Sequence, residues 1–199
     1  MAKRAYVRLG IFPGLFDPVH IGHLLIAEEV RQAMSLEQMI WVPTFVPPHR
    51  DAPIASYEHR VAMVRKALRG AEGHVVSTVE KTLSVPSYTV RTLRALEPST
   101  WPGTRPFVLI GADRLADLES WWLPEELFYR ARFLAVERPG IEVPQDPEGA
   151  RVVRVPTPLV SFSSREIRHR VRTHQSIRYW VDPTTERYIT SHSLYQDPV

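Results

Sequence analysis

Gly10-Ile11-Phe12-Pro13-Gly14-Leu15-Phe16-Asp17-Pro18-Val19-His20-Ile21-Gly22-His23 is the stretch on which the fold turns. The run Val7–Phe12 is apolar apart from Arg8 and enters Pro13-Gly14. A short apolar run stopped by a turn reads as a buried strand. Leu24, Leu25, Ala27, Val30 and Met34 then recur at roughly helical spacing, which predicts a helix over Gly22–Met34. The first unit is therefore strand, turn, helix.

The same alternation continues outward from it. Met39–Val42 reads as a second strand stopped by Pro43, and Thr44–Ser56 as a proline-rich loop. Tyr57–Leu68 carries Val61, Val64 and Leu68 at helical intervals, with Gly70 just past its end. His74–Val79 is a third strand, Ser87–Leu96 a helix stopped by Pro98, and Phe107–Ile110 a fourth strand ending at Gly111. Leu115–Arg130 is mostly helical with a break near Trp121–Pro124. Arg132–Val136 and Val152–Val155 complete the strands; Ser163–Thr173 and Thr184–Ser191 are closing helices.

Strands alternating with helices imply βαβ units. The expected class is α/β: a Rossmann-like, doubly wound parallel sheet with helices on both faces and a C-terminal helical segment. No repeat, low-complexity tract or flexible linker divides the chain, so residues 1–199 are expected to form one domain. Such sheets bind ligands beyond the carboxyl ends of their strands. That directs the search to the loops after Phe12, Pro43, Ser77 and Ile110.

The first of these loops suits a polyphosphate. A helix N-terminus offers N–H groups and a positive dipole end. His20 and His23, three positions apart, can face one side of the first turn and donate to phosphate oxygens. Gly22 permits close approach. Taken alone, His-x-x-His reads first as metal ligands or exposed histidines. Ser161-Phe162-Ser163-Ser164-Arg165-Glu166-Ile167-Arg168 is a second constellation. Its serines can cap a helix or reach phosphate, and Arg168, one turn inside, can turn back toward an anion. Alone, it reads as an ordinary cap before a solvated basic helix.

Together, the two segments resemble the nucleotidyltransferase superfamily that carries His-x-Gly-His after its first strand and Ser-Ser-Thr-x-Ile-Arg near its C-terminus. Arg165 replaces the usual Thr, while Pro13 and Leu15 replace Gly and Ser/Thr of the usual first loop. Pro47-Pro48-His49-Arg50, Pro86-Ser87-Tyr88-Thr89 with Thr92-Leu93, Gly111-Ala112-Asp113 with Leu118 and Trp121, and Val181–Tyr195 are similar, in order, to segments of bacterial nicotinate-mononucleotide adenylyltransferases. The resemblance implies transfer of the adenylyl group of ATP to nicotinate mononucleotide. The acceptor phosphate would attack directly, without a covalent enzyme intermediate.

By the same resemblance, His20, His23 and Arg168 would be catalytic. Phe12, Gly14, Phe16, Gly22, Gly111, Asp113, Ser163 and Ser164 would bind ATP, with Asp113 on the ribose. His49, Arg50, Tyr88, Thr89, Trp121 and Trp122 would bind the acceptor. Trp121 would stack on the nicotinate ring, and Thr89 with backbone near Trp122 would hold its carboxylate. Mg2+ would travel with the ATP phosphates, and no protein metal ligand is named. Arg91 stands where the family commonly has Asp.

The bulk composition agrees with an enzyme of anionic small molecules. The net charge of +3 suits such ligands as well as weak nucleic-acid binding, yet no strong basic run is present, so no nucleic-acid partner is expected. The absence of cysteine excludes disulfides and thiolate chemistry and fits a reducing compartment. With no leader-like apolar segment and no membrane-length run, a cytoplasmic location is expected. A homo-oligomer is compatible with these features. Two other readings stay open: the same superfamily acting on another phosphorylated acceptor, and a nucleotide-binding sensor or RNA-binding module whose altered first loop has lost catalysis.

Overall fold

The computed structural model describes residues 8–48, 52–100, 105–137, 140, 144–158 and 160–196. Six strands form one sheet: β1 Leu9–Gly14, β2 Gln38–Pro43, β3 His74–Val76, β4 Phe107–Gly111, β5 Arg132–Val136 and β6 Val152–Arg154. All pair in parallel, in the order β3-β2-β1-β4-β5-β6. The helices are α1 Ile21–Ala33, α2 Tyr57–Ala67, α3 Thr89–Thr100, α4 Pro124–Arg130, α5 Ser164–Arg172 and α6 Pro183–Ser191. Short 3-10 helices span Val79–Thr82 and Ala112–Ser120.

Side chains alternate along the strands, and the two sets enter two separate cores. Met39, Trp41, Phe107, Leu109, Leu134 and Val136 share one core with Ala27 and Val30 of α1, Met63 and Val64 of α2, Ile167 of α5 and Ile189 of α6. Ile40, Val42, Val108, Ile110, Phe133 and Ala135 share the other with Leu93 of α3, Leu115 and Leu118 of the second 3-10 helix, and Leu127 of α4. The sheet is thus covered on both faces, as a parallel sheet requires. Among the described residues, no helix is long and apolar enough to cross a membrane.

Several boundaries differ from the sequence reading. Strand β1 runs through Pro13 and Gly14, which pair with Val42 and Pro43, so the expected proline–glycine stop is part of the strand and the turn comes at Asp17-Pro18. Strand β3 stops at Val76, and the expected strand residue Val79 instead opens a 3-10 helix. Helix α3 runs to Thr100, so Pro98 lies in its last turn and does not stop it. A proline that late removes a single helical N–H bond, a small loss beside the preceding turns.

The chain winds outward from β1 to β3, then returns to place β4 on the other side of β1. That reversal is where a crevice opens beyond the strand ends. The loop after β1 and the 3-10 helix after β4 flank it.

Candidate active site

Helix α1 begins on a reciprocal histidine cap. His23 N–H donates to His20 Nδ1 and His20 N–H donates to His23 Nδ1, each at 3.3 Å. The rings stack with centroids 3.6 Å apart. A nitrogen that accepts carries no proton, so in this geometry each neutral ring holds its proton on Nε2. The cap thereby orients two Nε2–H donors together. His20 is buried and His23 half-buried.

An aromatic wall stands behind His23. Phe16 meets it edge-on at 5.2 Å and Phe12 at 5.9 Å, and both pack on Trp41. Phe16 is 2% exposed and takes a left-handed backbone, φ 49°. Its side chain is support for the imidazole, so a nucleotide would meet residue 16 only through backbone. Gly14 and Gly22 make room for these rings. A Cβ on Gly14 would lie 2.8 Å from Phe16 Cζ, and one on Gly22 would lie 3.1 Å from His20 Nδ1 and 3.3 Å from Val160 Cγ2. The close approach expected at Gly22 is therefore met by the molecule's own imidazole.

The second constellation docks on the first. Ser164 Oγ donates to the Pro18 carbonyl at 2.9 Å, and Arg168 Nη1 donates to the Asp17 carbonyl at 2.6 Å. Ser163 caps α5 by accepting Glu166 N–H. The hydroxyl proton of Ser164 is thus committed to Pro18, which departs from the expected phosphate donation. Ser163, an acceptor in its cap, keeps its hydroxyl proton available in this arrangement. The helix amides are also more committed than the sequence suggests: Ile21 N–H meets the Trp180 carbonyl and His23 N–H meets His20. At α1 the backbone amides are thus largely taken up within the protein.

Asp17 ties this loop to the rest of the molecule. Its carboxylate accepts from Ile54 N–H, Ala55 N–H and Tyr195 Oη, and Arg168 stands 3.8 Å away. Arg60, 1% exposed, donates to the Leu15 carbonyl at 2.7 Å and to the Ala55 carbonyl. Burial pulls the Arg60 guanidinium below the usual arginine range, while the charge of Asp17 opposes that shift. Leu15 thus serves through its carbonyl. No site role for Asp17, Arg60 or Tyr195 follows from the sequence reading. For Arg60 a signal existed: it falls inside the apolar stripe of Tyr57, Val61 and Val64.

A second group gathers at the start of α3. Tyr88 and Trp122 stack at 4.9 Å, and Thr89 opens the helix beside them. Trp121, the chain neighbour of Trp122, is partly buried against the core that Ile40, Val108 and Phe133 share. The loop bearing Tyr88 is zipped to the loop after β2, since Ser87 N–H meets the Val46 carbonyl and Val46 N–H meets Ser87 Oγ. Buried Glu80 anchors both, accepting from Phe45 N–H and Thr92 Oγ1; burial pushes its carboxyl above the usual range. Gly111 ends β4, and Asp113 lies in the first turn of the following 3-10 helix. His49 and Arg50 lie outside the described residues.

Residues 11–170 match the model of the cytidylyltransferase-like family. A probable nicotinate-nucleotide adenylyltransferase of Exiguobacterium sibiricum is 40% identical over 189 residues, covering 95% of this chain and 99% of the relative. One of Thermus thermophilus is 38% identical, covering 96% of this chain and 100% of its own. The Plasmodium falciparum nicotinic acid mononucleotide adenylyltransferase, solved in complex with NaAD, shares the fold at TM-score 0.79 and 20% identity, with 94% of this chain and 97% of that one covered.

Proposed function

The chain belongs to the cytidylyltransferase-like family, among its nicotinate-nucleotide adenylyltransferases, and on that premise we propose that it joins ATP and nicotinate mononucleotide into nicotinate adenine dinucleotide, releasing pyrophosphate. The observation that carries this reading is the docking of α5 on the histidine loop. Ser164 and Arg168 reach Pro18 and Asp17 across the sequence, so the two segments read as phosphate-binding lie together beside the switch point of the sheet.

In this reading, the Nε2–H groups of His20 and His23 and the fork of Arg168 hold the ATP phosphates. These donors are oriented before substrate arrives, so they stabilise charge that grows on the α-phosphate and pyrophosphate without reorganising. The acceptor phosphate attacks the α-phosphorus in line; the P–O bond to pyrophosphate breaks as the new one forms, and no enzyme group is modified. The protein's task is positioning and electrostatics. ATP enters as its Mg2+ complex, so the cation is part of the substrate. Asp113 binds ribose hydroxyls, and Tyr88, Thr89, Trp121 and Trp122 wall the acceptor. Residues 1–199 act as one domain.

The test is incubation of the protein with ATP, Mg2+ and nicotinate mononucleotide, followed by separation of products. Dinucleotide and pyrophosphate in equal amounts are expected. Pyrophosphate release without dinucleotide, or neither product, would refute the assignment.

A further inference from the structure

We infer that Arg91 reads the charge of the acceptor, favouring a pyridine nucleotide that bears a carboxylate over one that bears an amide. The inference rests on the adenylyl-transfer reading above and deepens it.

Arg91 lies in the first turn of α3, two residues after Thr89. A cation there opposes the positive end of the helix dipole, so helix stability does not account for it. Its contacts do. Nη1 donates to the Ser84 carbonyl at 2.9 Å and reaches the Pro86 carbonyl at 3.4 Å. The guanidinium stands 4.5 Å from the centre of the Trp122 ring and 5.1 Å from that of Tyr88. An aspartate at this position could make none of these contacts, because carbonyls and ring faces both repel an anion.

Arg91 is held, yet its charge is not neutralised. Among the described residues it has no carboxylate at salt-bridge distance; its partners are carbonyl oxygens and ring faces. Arg94 makes the contrast. It also lies over Trp122, at 5.8 Å, but both its Nε and Nη2 are bound by the carboxylate of Glu126. Of the two guanidiniums on this tryptophan, Arg91 alone projects an uncompensated positive charge at the Tyr88–Trp122 wall. The two mononucleotides share phosphate, ribose and pyridinium and differ by one negative charge. A fixed cation beside the wall discriminates between them through Coulomb attraction, at a strength on the order of threefold to tenfold in a half-exposed site.

The experiment compares kcat/KM for nicotinate and nicotinamide mononucleotide in the whole protein, its Arg91→Gln and Arg91→Lys variants, and the wild type across a salt series. Arg91→Gln should lower the acid-to-amide ratio about threefold to tenfold, chiefly through the acid substrate. Arg91→Lys should retain most of the ratio, because it keeps the charge. Added salt should lower the wild-type ratio. Equal losses on both acceptors in Arg91→Gln would make the residue a mere brace of the loop and overturn the inference. If that variant fails to fold, the wild-type salt series decides: a ratio that ignores salt overturns it equally. A wild type that makes dinucleotide from neither acceptor would instead defeat the functional reading itself.

Discussion

Tyr195 Oη donates to Asp17 Oδ1 at 2.8 Å, joining residues 178 positions apart inside the protein. The phenol is buried, and burial together with the charge of Asp17 holds its pKa far above the ordinary tyrosine value. The bond matters because the same aspartate fixes the turn that leads into His20. Tyr195→Phe removes a hydrogen bond to a carboxylate and leaves the ring's packing in place. A loss of about 2 kcal/mol in unfolding free energy is expected. Denaturant titration checks it, and an unchanged midpoint would mean that Asp17 is satisfied without the phenol.

His20 serves both as helix cap and, in our reading, as phosphate donor, and two substitutions separate these roles. His20→Ala should lose about 1 kcal/mol of stability with the cap and turnover by roughly a hundredfold or more. Asparagine is a strong cap, so His20→Asn should recover the stability and not the turnover. Recovery of both would assign His20 a purely structural part.

Gly22→Ala tests how tightly the imidazole is placed. The added methyl would press on His20 Nδ1 at 3.1 Å and on Val160 at 3.3 Å, so the ring must move by a few tenths of an ångström. Donors displaced on that scale lose a good part of their benefit; kcat should fall on the order of tenfold, with the fold retained by circular dichroism. Wild-type kcat would show that His20 has slack.

The hydroxyl of Tyr57 is buried and has no hydrogen-bond partner among the described residues. Tyr57→Phe should therefore raise stability by about 1 kcal/mol at neutral pH. Burial, reinforced by the charge of Glu80, pushes the phenol up to about 12. A raised folded-state pKa contributes stability that is present below the unfolded value, about 10, and is lost as pH rises through 12. The alkaline limb of the stability profile should thus be shallower in Tyr57→Phe between those values. Superimposable profiles would contradict it.

The strand and helix around the histidine loop were legible because they obey local rules: a short apolar run, then apolar residues at a period near four. The turn was misplaced, since Pro13 and Gly14 continue β1 and the bend falls at Asp17-Pro18. The two-sided sheet followed from their repetition. What holds the site was not legible, because it is made of contacts between distant residues. Asp17 meets Ile54, Ala55, Arg168 and Tyr195, and nothing in its own neighbourhood announces those partners. Ser164 could be read as a phosphate donor because its sequence context hides the Pro18 carbonyl that takes its proton. Arg91 was unexplained in sequence for the same reason: its partners are two loop carbonyls and a tryptophan contributed by the segment beyond β4.

The docking of α5 on the first loop also sets an order of events during synthesis. Residue 17 leaves the ribosome early, while Arg168, which grips its carbonyl, follows 151 positions later. At ordinary elongation rates that gap is roughly ten to thirty seconds. For that interval the nascent chain carries its histidine pair without the wall that completes the crevice, so a product cut short before α5 would carry the signature loop and remain inert.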